Sequence, residues 1–243
     1  MIVNIYLVRH GETDYNSEGR LQGRLGVNLN RHGIAQAQRI PEILRSKDIQ
    51  AVYTSPLERA KTTCQYLTNE LGKEIPCAEI ENLTEIALGK YEGWLKSSVD
   101  TALGNGSFER WTSLAKENDR ADFPGDGVES KMALRERALK ALKKIAKDAA
   151  AKNKQRIAVI GHGTYIANFL AACLDKRDTH IANGEVVYLT YDTNNEGWVF
   201  KEVIANPYNL ENHRHLSMGN FGGKESADNI QKATVCLNAT KNR

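Results

Sequence analysis

Two short apolar runs constrain the fold most. Residues 2–8, Ile-Val-Asn-Ile-Tyr-Leu-Val, and residues 156–160, Arg-Ile-Ala-Val-Ile, are rich in β-branched side chains. Runs of that length and composition read as strands buried on both faces, as parallel sheets require. Each ends on a histidine beside glycine, in Val8-Arg9-His10-Gly11 and Ile160-Gly161-His162-Gly163. In a parallel sheet both endings reach the same edge. Ligands of open α/β sheets bind in the crevice outside that edge.

The rest of the chain alternates in keeping with such a sheet. Residues 31–46 carry Ile34, Ala35, Ala37, Ile40, Ile43 and Leu44 near helical spacing, with Pro41 expected to bend the helix. Ala51 to Tyr53 reads as a strand. Thr54-Ser55-Pro56 reads as a helix start with a hydroxyl cap, and Gly72 as its stop. Ile75 to Ile80 fits another strand. Residues 90–127 have weak periodicity and several glycines, and are expected to form a lid insertion with short helices. Residues 128–151 predict a long helix, and a further helix follows His162 from about Thr164 to Leu174. Residues 185–192 and 197–204 alternate like a hairpin around Asn194-Asn195-Glu196-Gly197. The expectation is an α/β three-layer sandwich, a mainly parallel sheet flanked by helices, in a single domain over 1–206. Past Pro207 the pattern fades, and 207–243 is expected to be a tail, packed on the domain or loose.

Composition narrows the function classes. The 243 residues suit one large domain with a sizeable core. A net charge of +3, with basic residues spread along the chain, gives no footprint for nucleic acid. No segment approaches the ~18 apolar residues of a membrane helix. Met1 leads straight into the first strand, so no signal peptide is expected. Cys64, Cys77, Cys173 and Cys236 form no Cys-x-x-Cys pair. Neither a zinc site nor a disulfide framework is expected, and the location expected is cytoplasmic. His32 is expected in a helix start and His180 in a loop. His213 and His215 are expected to face solvent. Trp94, Phe108, Trp111 and Phe123 suit a small satellite core or a lid over substrate.

At the predicted sheet edge, Arg9 precedes His10, and a guanidinium there suits a planar, multi-oxygen anion. Arg59, in Ser55-Pro56-Leu57-Glu58-Arg59-Ala60, can reach the same anion from the next helix. Two arginines and two histidines around one anion make a phosphate pocket, and the amides of the helix after His162 favour an anion too. The positive neighbours lower the pKa of His10, keeping an attacking nitrogen unprotonated. They also stabilise charge on a transferring phosphoryl group. Glu85, in the apolar setting Leu83-Thr84-Glu85-Ile86-Ala87-Leu88, is the candidate proton donor, with a pKa raised by burial.

These residues resemble the histidine phosphatase superfamily, in its branch with phosphoglycerate mutases and broad-specificity phosphatases. Arg9-His10-Gly11-Glu12-Thr13 with Asn16 looks like the signature. Leu21-Gln22-Gly23 with Leu29 and Gly33-Ile34-Ala35-Gln36-Ala37 is similar to the second segment. Ser55-Pro56-Leu57-Glu58-Arg59-Ala60, Leu83-Thr84-Glu85 with Gly89 and Glu92-Gly93, and Gly161-His162-Gly163 follow in order. The resemblance implies a phosphorylated His10, with Arg9, Arg59 and His162 binding the phosphoryl group and Glu85 donating the proton. Asn16, Gln22, Gly23 and Gly163 would line the phosphate site. No metal or organic cofactor is implied, and the partner expected is a small phosphorylated substrate, with a homodimer compatible.

The mutases of that family carry a basic and aromatic stretch resembling Glu-Arg-His-Tyr-Gly after the acid, and need a bisphosphoglycerate primer. Here the stretch is the apolar Glu85-Ile86-Ala87-Leu88-Gly89. Phe123-Pro124-Gly125-Asp126-Gly127-Val128-Glu129-Ser130 resembles the phosphatase form, Pro-Gly-Gly-Glu-Ser. A phosphomonoester hydrolase is therefore expected. A mutase is the enzyme alternative, because Lys96, Arg110, Trp111 and Arg120 suit an acidic substrate. A non-catalytic phospho-ligand binder is the third reading.

Overall fold

A computed structural model describes residues 1–72, 75 and 77–211. Its strands are β1 (Ile2–Arg9), β2 (Ala51–Thr54), β3 (Cys77–Glu79), β4 (Arg156–Gly161), β5 (Val186–Asp192) and β6 (Gly197–Ile204). The helices are α1 (Asp14–Ser17), α2 (Arg31–Leu44), α3 (Glu58–Glu70), α4 (Lys96–Leu103), α5 (Ser107–Thr112), α6 (Lys131–Ala151), α7 (Gly163–Leu174) and α8 (Pro207–Glu211). Among the described residues the strands make one six-stranded sheet, ordered β3-β2-β4-β1-β5-β6. β1 to β4 run parallel, and the β5–β6 hairpin adds antiparallel strands beside β1.

Period-two alternation divides the core between the two faces. Val3, Ile5 and Leu7 join a cluster with α6 and α7, including Leu142, Ile145, Phe169 and Leu170. Tyr6 and Val8 join another with α2 and α3, including Ile40, Leu44, Ala60 and Leu67. Helices therefore cover both faces, as the three-layer expectation requires. Strand register then sets the edge that matters. Arg9 pairs with Gly161, and Thr54 with Ile160, so β1, β2 and β4 end level with one another.

Several boundaries differ from the sequence reading for local reasons. The helix expected from Thr54 begins at Glu58 instead, because Leu57 is extended and the Ser55 hydroxyl does not cap the helix. α6 starts at Lys131, where the Ser130 side chain accepts from the amide of Ala133 at 3.1 Å. The strand expected over 75–80 is the shorter Cys77–Glu79. The insertion holds α4 and α5, and Trp111 and Phe123 pack into the main core with Tyr91, so these aromatics are core. α8 has no counterpart in the sequence reading.

The cysteine expectation needs correction. Cys64 on α3 and Cys77 on β3 are joined by a disulfide. They lie 13 residues apart on neighbouring elements, a juxtaposition that the search for Cys-x-x-Cys does not register. Cys173 is free and half-buried, and burial raises its thiol to about 12. No helix among the described residues is long and apolar enough to cross a membrane. His213, His215 and Cys236 lie outside the described residues.

Candidate active site

The end of β1 delivers His10 to the sheet edge, where its amide donates to the carbonyl of Gly161 at 3.0 Å. The ring is buried, and its Nδ1 lies 2.6 Å from the carbonyl of Gly11. A carbonyl can only accept, so Nδ1 carries the proton and Nε2 keeps its lone pair. Burial, then the charges of Arg59 and Arg9, hold the imidazole well below its ordinary value of 6.5. The ring is thus neutral, with an unprotonated Nε2 able to attack an electrophile.

Arg59 comes from the first turn of α3 and is buried. Its Nε donates to Nε2 of His10 at 3.3 Å, and Nη1 and Nη2 donate to the carbonyls of Leu25 and Gly23 at 2.7 and 2.8 Å. The guanidinium therefore sits at the unprotonated nitrogen of His10. Arg9 lies across the site, anchored through Nη1 to the carbonyl of Ile181 at 2.7 Å. Its Nε is buried with no hydrogen-bond partner among the described residues.

His162, at the end of β4, meets the His10 ring edge-on with centroids 5.2 Å apart. The amide of Leu57 donates to Oγ of Ser55 at 3.3 Å, and that Oγ lies 2.8 Å from Nε2 of His162. Where Ser55 donates its own proton to Nε2, the ring proton lies on Nδ1. Nδ1 is buried and has no partner among the described residues, and in that tautomer it is a donor available to an anion. Burial, followed by Arg59, His10 and Arg9, keeps this imidazole neutral too.

Glu85 follows the 3-10 turn at 81–83 and is buried. Its Oε1 accepts from the amide of Ile86 at 2.9 Å, and its Oε2 from the amide of Thr164 at 3.0 Å. The second bond gives a helix N-terminal amide of α7 to a carboxyl rather than to a free anion. Burial raises the Glu85 pKa against the opposing pull of these amides and of Arg59 and Arg9. The other nearby carboxylates differ: Glu79 and Glu81 are exposed, and Glu92 accepts from the amides of Arg24 and Leu88.

The structure also places the softer candidates. Gly23 has φ +51 and gives its carbonyl to Arg59. Gln22 carries a buried Oε1 with no partner among the described residues. Oδ1 of Asn16 accepts from Thr13 and from Nδ2 of Asn183, which ties Asn16 into the loop. Gly163 abuts the Arg9 side chain, where an added Cβ would lie 3.1 Å from Nε. Gly11 makes its close approach to α2. A Cβ there would lie 2.2 Å from the carbonyl oxygen of Gly33.

A support layer behind His10 has no sequence signal. Nδ2 of Asn183 donates to the carbonyl of His10 at 3.1 Å, and the carbonyl of Asn183 accepts from Asn209 on α8 at 3.0 Å. Gln36 on α2 donates to Oδ1 of Asn209 and accepts from the amide of Glu12, both at 2.8 Å. The first turn of α8 is thereby bonded to the loop that follows His10.

The family model of the histidine phosphatase superfamily (branch 1) matches residues 5–205. The chain is 35% identical over 228 residues to phosphoglycerate mutase-like protein 4 of Arabidopsis thaliana, covering 92% of this chain and 93% of that one. It is 35% identical over 169 residues to a metal-independent phosphoserine phosphatase of the same plant, covering 67% and 65%. The solved phosphoglycerate mutase of Bacillus anthracis str. Sterne shares the fold, with a TM-score of 0.73 at 23% identity over 85% of this chain and 95% of that one.

Proposed function

The chain belongs to the histidine phosphatase superfamily, branch 1, and from that premise we propose that it hydrolyses small phosphate monoesters through a phosphohistidine at Nε2 of His10. One observation carries the reading: a neutral His10 has its Nδ1 fixed by the carbonyl of Gly11 and its Nε2 beside Arg59. Nε2 attacks phosphorus, a P–N bond forms and the ester P–O bond breaks. Glu85 gives its proton to the leaving oxygen. Its carboxylate then takes a proton from water, whose oxygen attacks phosphorus, breaks the P–N bond and releases inorganic phosphate. Arg9, Arg59 and Nδ1–H of His162 hold the phosphoryl oxygens and offset the charge that develops there.

Hydrolysis, rather than return of the phosphate to a second hydroxyl, is supported by the segment after the acid. Ile86 and Leu88 are buried and apolar, so no cation from that segment faces a second acidic group. One cation does lie near the phosphate pocket. Burial, then Arg9, lowers the ammonium of Lys96 in the first turn of α4. It suits a carboxylate on the substrate, in keeping with a relative named for phosphoserine.

The test is a panel of phosphate esters with and without a carboxylate, including p-nitrophenyl phosphate, phosphoserine and 3-phosphoglycerate. Phosphate release without added metal and unaffected by EDTA is expected, with carboxylated esters preferred. His10→Ala is expected to abolish it. Normal turnover by that variant refutes the reading, and primer-dependent interconversion of phosphoglycerates in place of phosphate release would establish the mutase.

A further inference from the structure

We propose that Glu129, Arg137 and Arg24 are positioning residues that clamp the main chain from which Glu85 projects. The inference rests on the phosphatase reading of the site. It absorbs the Gly-Val-Glu-Ser part of the motif at 127–130, which the chemistry above leaves unused.

The clamp is built on one carboxylate. Oε1 of Glu129 accepts from Nε of Arg137 at 2.7 Å, and Oε2 from its Nη2 at 2.8 Å. Oε2 also accepts from Nη2 of Arg24 at 3.2 Å and from the amide of Ala87 at 3.3 Å. The two guanidiniums, so aligned, reach the acid segment. Arg137 donates through Nη1 to the carbonyls of Asn82 and Thr84, both at 2.9 Å. Arg24 donates through Nε to the carbonyl of Glu85 at 3.1 Å. The amide of Glu129 itself donates to the carbonyl of Ala87 at 2.8 Å. The segment 82–87 contains no regular helix or strand beyond the 3-10 turn at 81–83. Side chains from a loop, from α6 and from the 127–130 turn therefore supply the register that a sheet would supply elsewhere.

The pair is strong enough for that task. Side-chain exposures of 15% for Arg137 and 13% for Glu129 remove most of the solvent screening that weakens surface pairs. Burial works against the Glu129 charge, yet Arg137 holds the carboxyl below its usual range. None of the three side chains touches a reacting atom, so each acts through Glu85.

Glu129 has a second consequence. The groups that face Glu85 are Arg9 from β1, Arg59 from α3, Arg137 from α6 and Tyr165 from α7, with Arg24 at its carbonyl. Glu129 offsets the charge of the last guanidinium and of Arg137. Its removal leaves both uncompensated and favours the ionised, inactive form of the donor.

Leaving-group chemistry tests this. An aryl phosphate such as p-nitrophenyl phosphate departs with little protonation, whereas an alkyl ester such as phosphoserine needs the proton. In Glu129→Gln, kcat/KM for phosphoserine is expected to fall on the order of 10-fold or more, part of what a general acid contributes. The kcat/KM for p-nitrophenyl phosphate, set before the shared release of phosphate from His10, should fall less than ~3-fold, and the basic limb of the phosphoserine kcat/KM profile should move to lower pH. Arg24→Ala, an exposed position, should show the same selectivity more weakly, and stands in if Glu129→Gln fails to fold. Equal losses on both esters, or no loss, in a folded variant overturn the clamp. A wild-type protein that hydrolyses neither ester overturns the phosphatase reading instead, and the clamp with it.

Discussion

The two halves of the candidate site are held in different ways. The histidines sit at ends of adjacent parallel strands, where backbone pairing of Arg9 with Gly161 sets their separation. The acid sits on an irregular segment whose register comes from guanidinium bonds to its carbonyls. Strand register is fixed by many hydrogen bonds and by a buried core on each face, and one substitution disturbs it little. A clamp of three charged side chains transmits any single loss directly to Glu85. The nucleophile half should therefore respond to changes in charge and tautomer, and the acid half to changes in position.

The largest effect that sharpens this contrast comes from the acid itself. Glu85→Gln keeps the shape but cannot deliver the proton. Its kcat/KM on phosphoserine, which reports the step through P–O cleavage, should fall about 10³-fold, within the range for general acid catalysis, and far less on p-nitrophenyl phosphate. The pH profile adds a check with a definite sign. His10 is depressed, so the neutral nucleophile persists well below 6.5, while Glu85 is raised, so the protonated donor persists above the carboxylate range. Glu85→Gln should remove the basic limb and leave the acidic limb. A retained basic limb would assign the donor to another group.

A smaller effect is expected on the nucleophile half. Ser55→Ala removes the hydroxyl bonded to Nε2 of His162, and with it a bias toward the tautomer protonated at Nδ1, but leaves strand register intact. Because Nδ1 then carries its proton only part of the time, kcat should drop about 10-fold for aryl and alkyl esters alike, less than the loss of a whole oxyanion donor. A loss confined to alkyl esters would break the contrast between the halves, because it would make Ser55 part of the acid machinery.

How far these halves could be read in the sequence follows the same division. His10, Arg9 and His162 were legible because a strand ending is a local pattern. Glu85 was legible through its apolar neighbours. Ser55 was misread as a helix cap, because a hydroxyl before proline carries the same local signal whether it caps a helix or orients a histidine 107 residues away. The Asn183–Asn209–Gln36 chain gave no signal, since its links join residues up to 173 positions apart. The clamp was half visible. The Glu129 motif stood out as a phosphatase-like segment, but the targets of the clamp lie 42 to 61 residues from its members, and periodicity says nothing about such distances. The Cys64–Cys77 bond was missed for the same reason. Only the packing of α3 beside β3 brings the two sulfurs together.

The smallest effect concerns stability, and it separates the buried histidine pair from the rest of the chain. His10 and His162 are buried and held well below 6.5, first by burial and then by arginine charge. In the unfolded chain both take up protons as pH falls through about 6.5. The folded state does not, so the unfolded state binds more protons, and stability falls as pH drops below that value. Above it both states are neutral and the contribution is flat. Each histidine gives a slope of at most about 1.4 kcal/mol per pH unit. Urea unfolding of the wild type and of His10→Ala across that window should therefore differ in slope by about that amount. The same slope in both proteins would mean that His10 protonates freely in the folded state, and a nucleophile held neutral by its surroundings would no longer distinguish this half of the site.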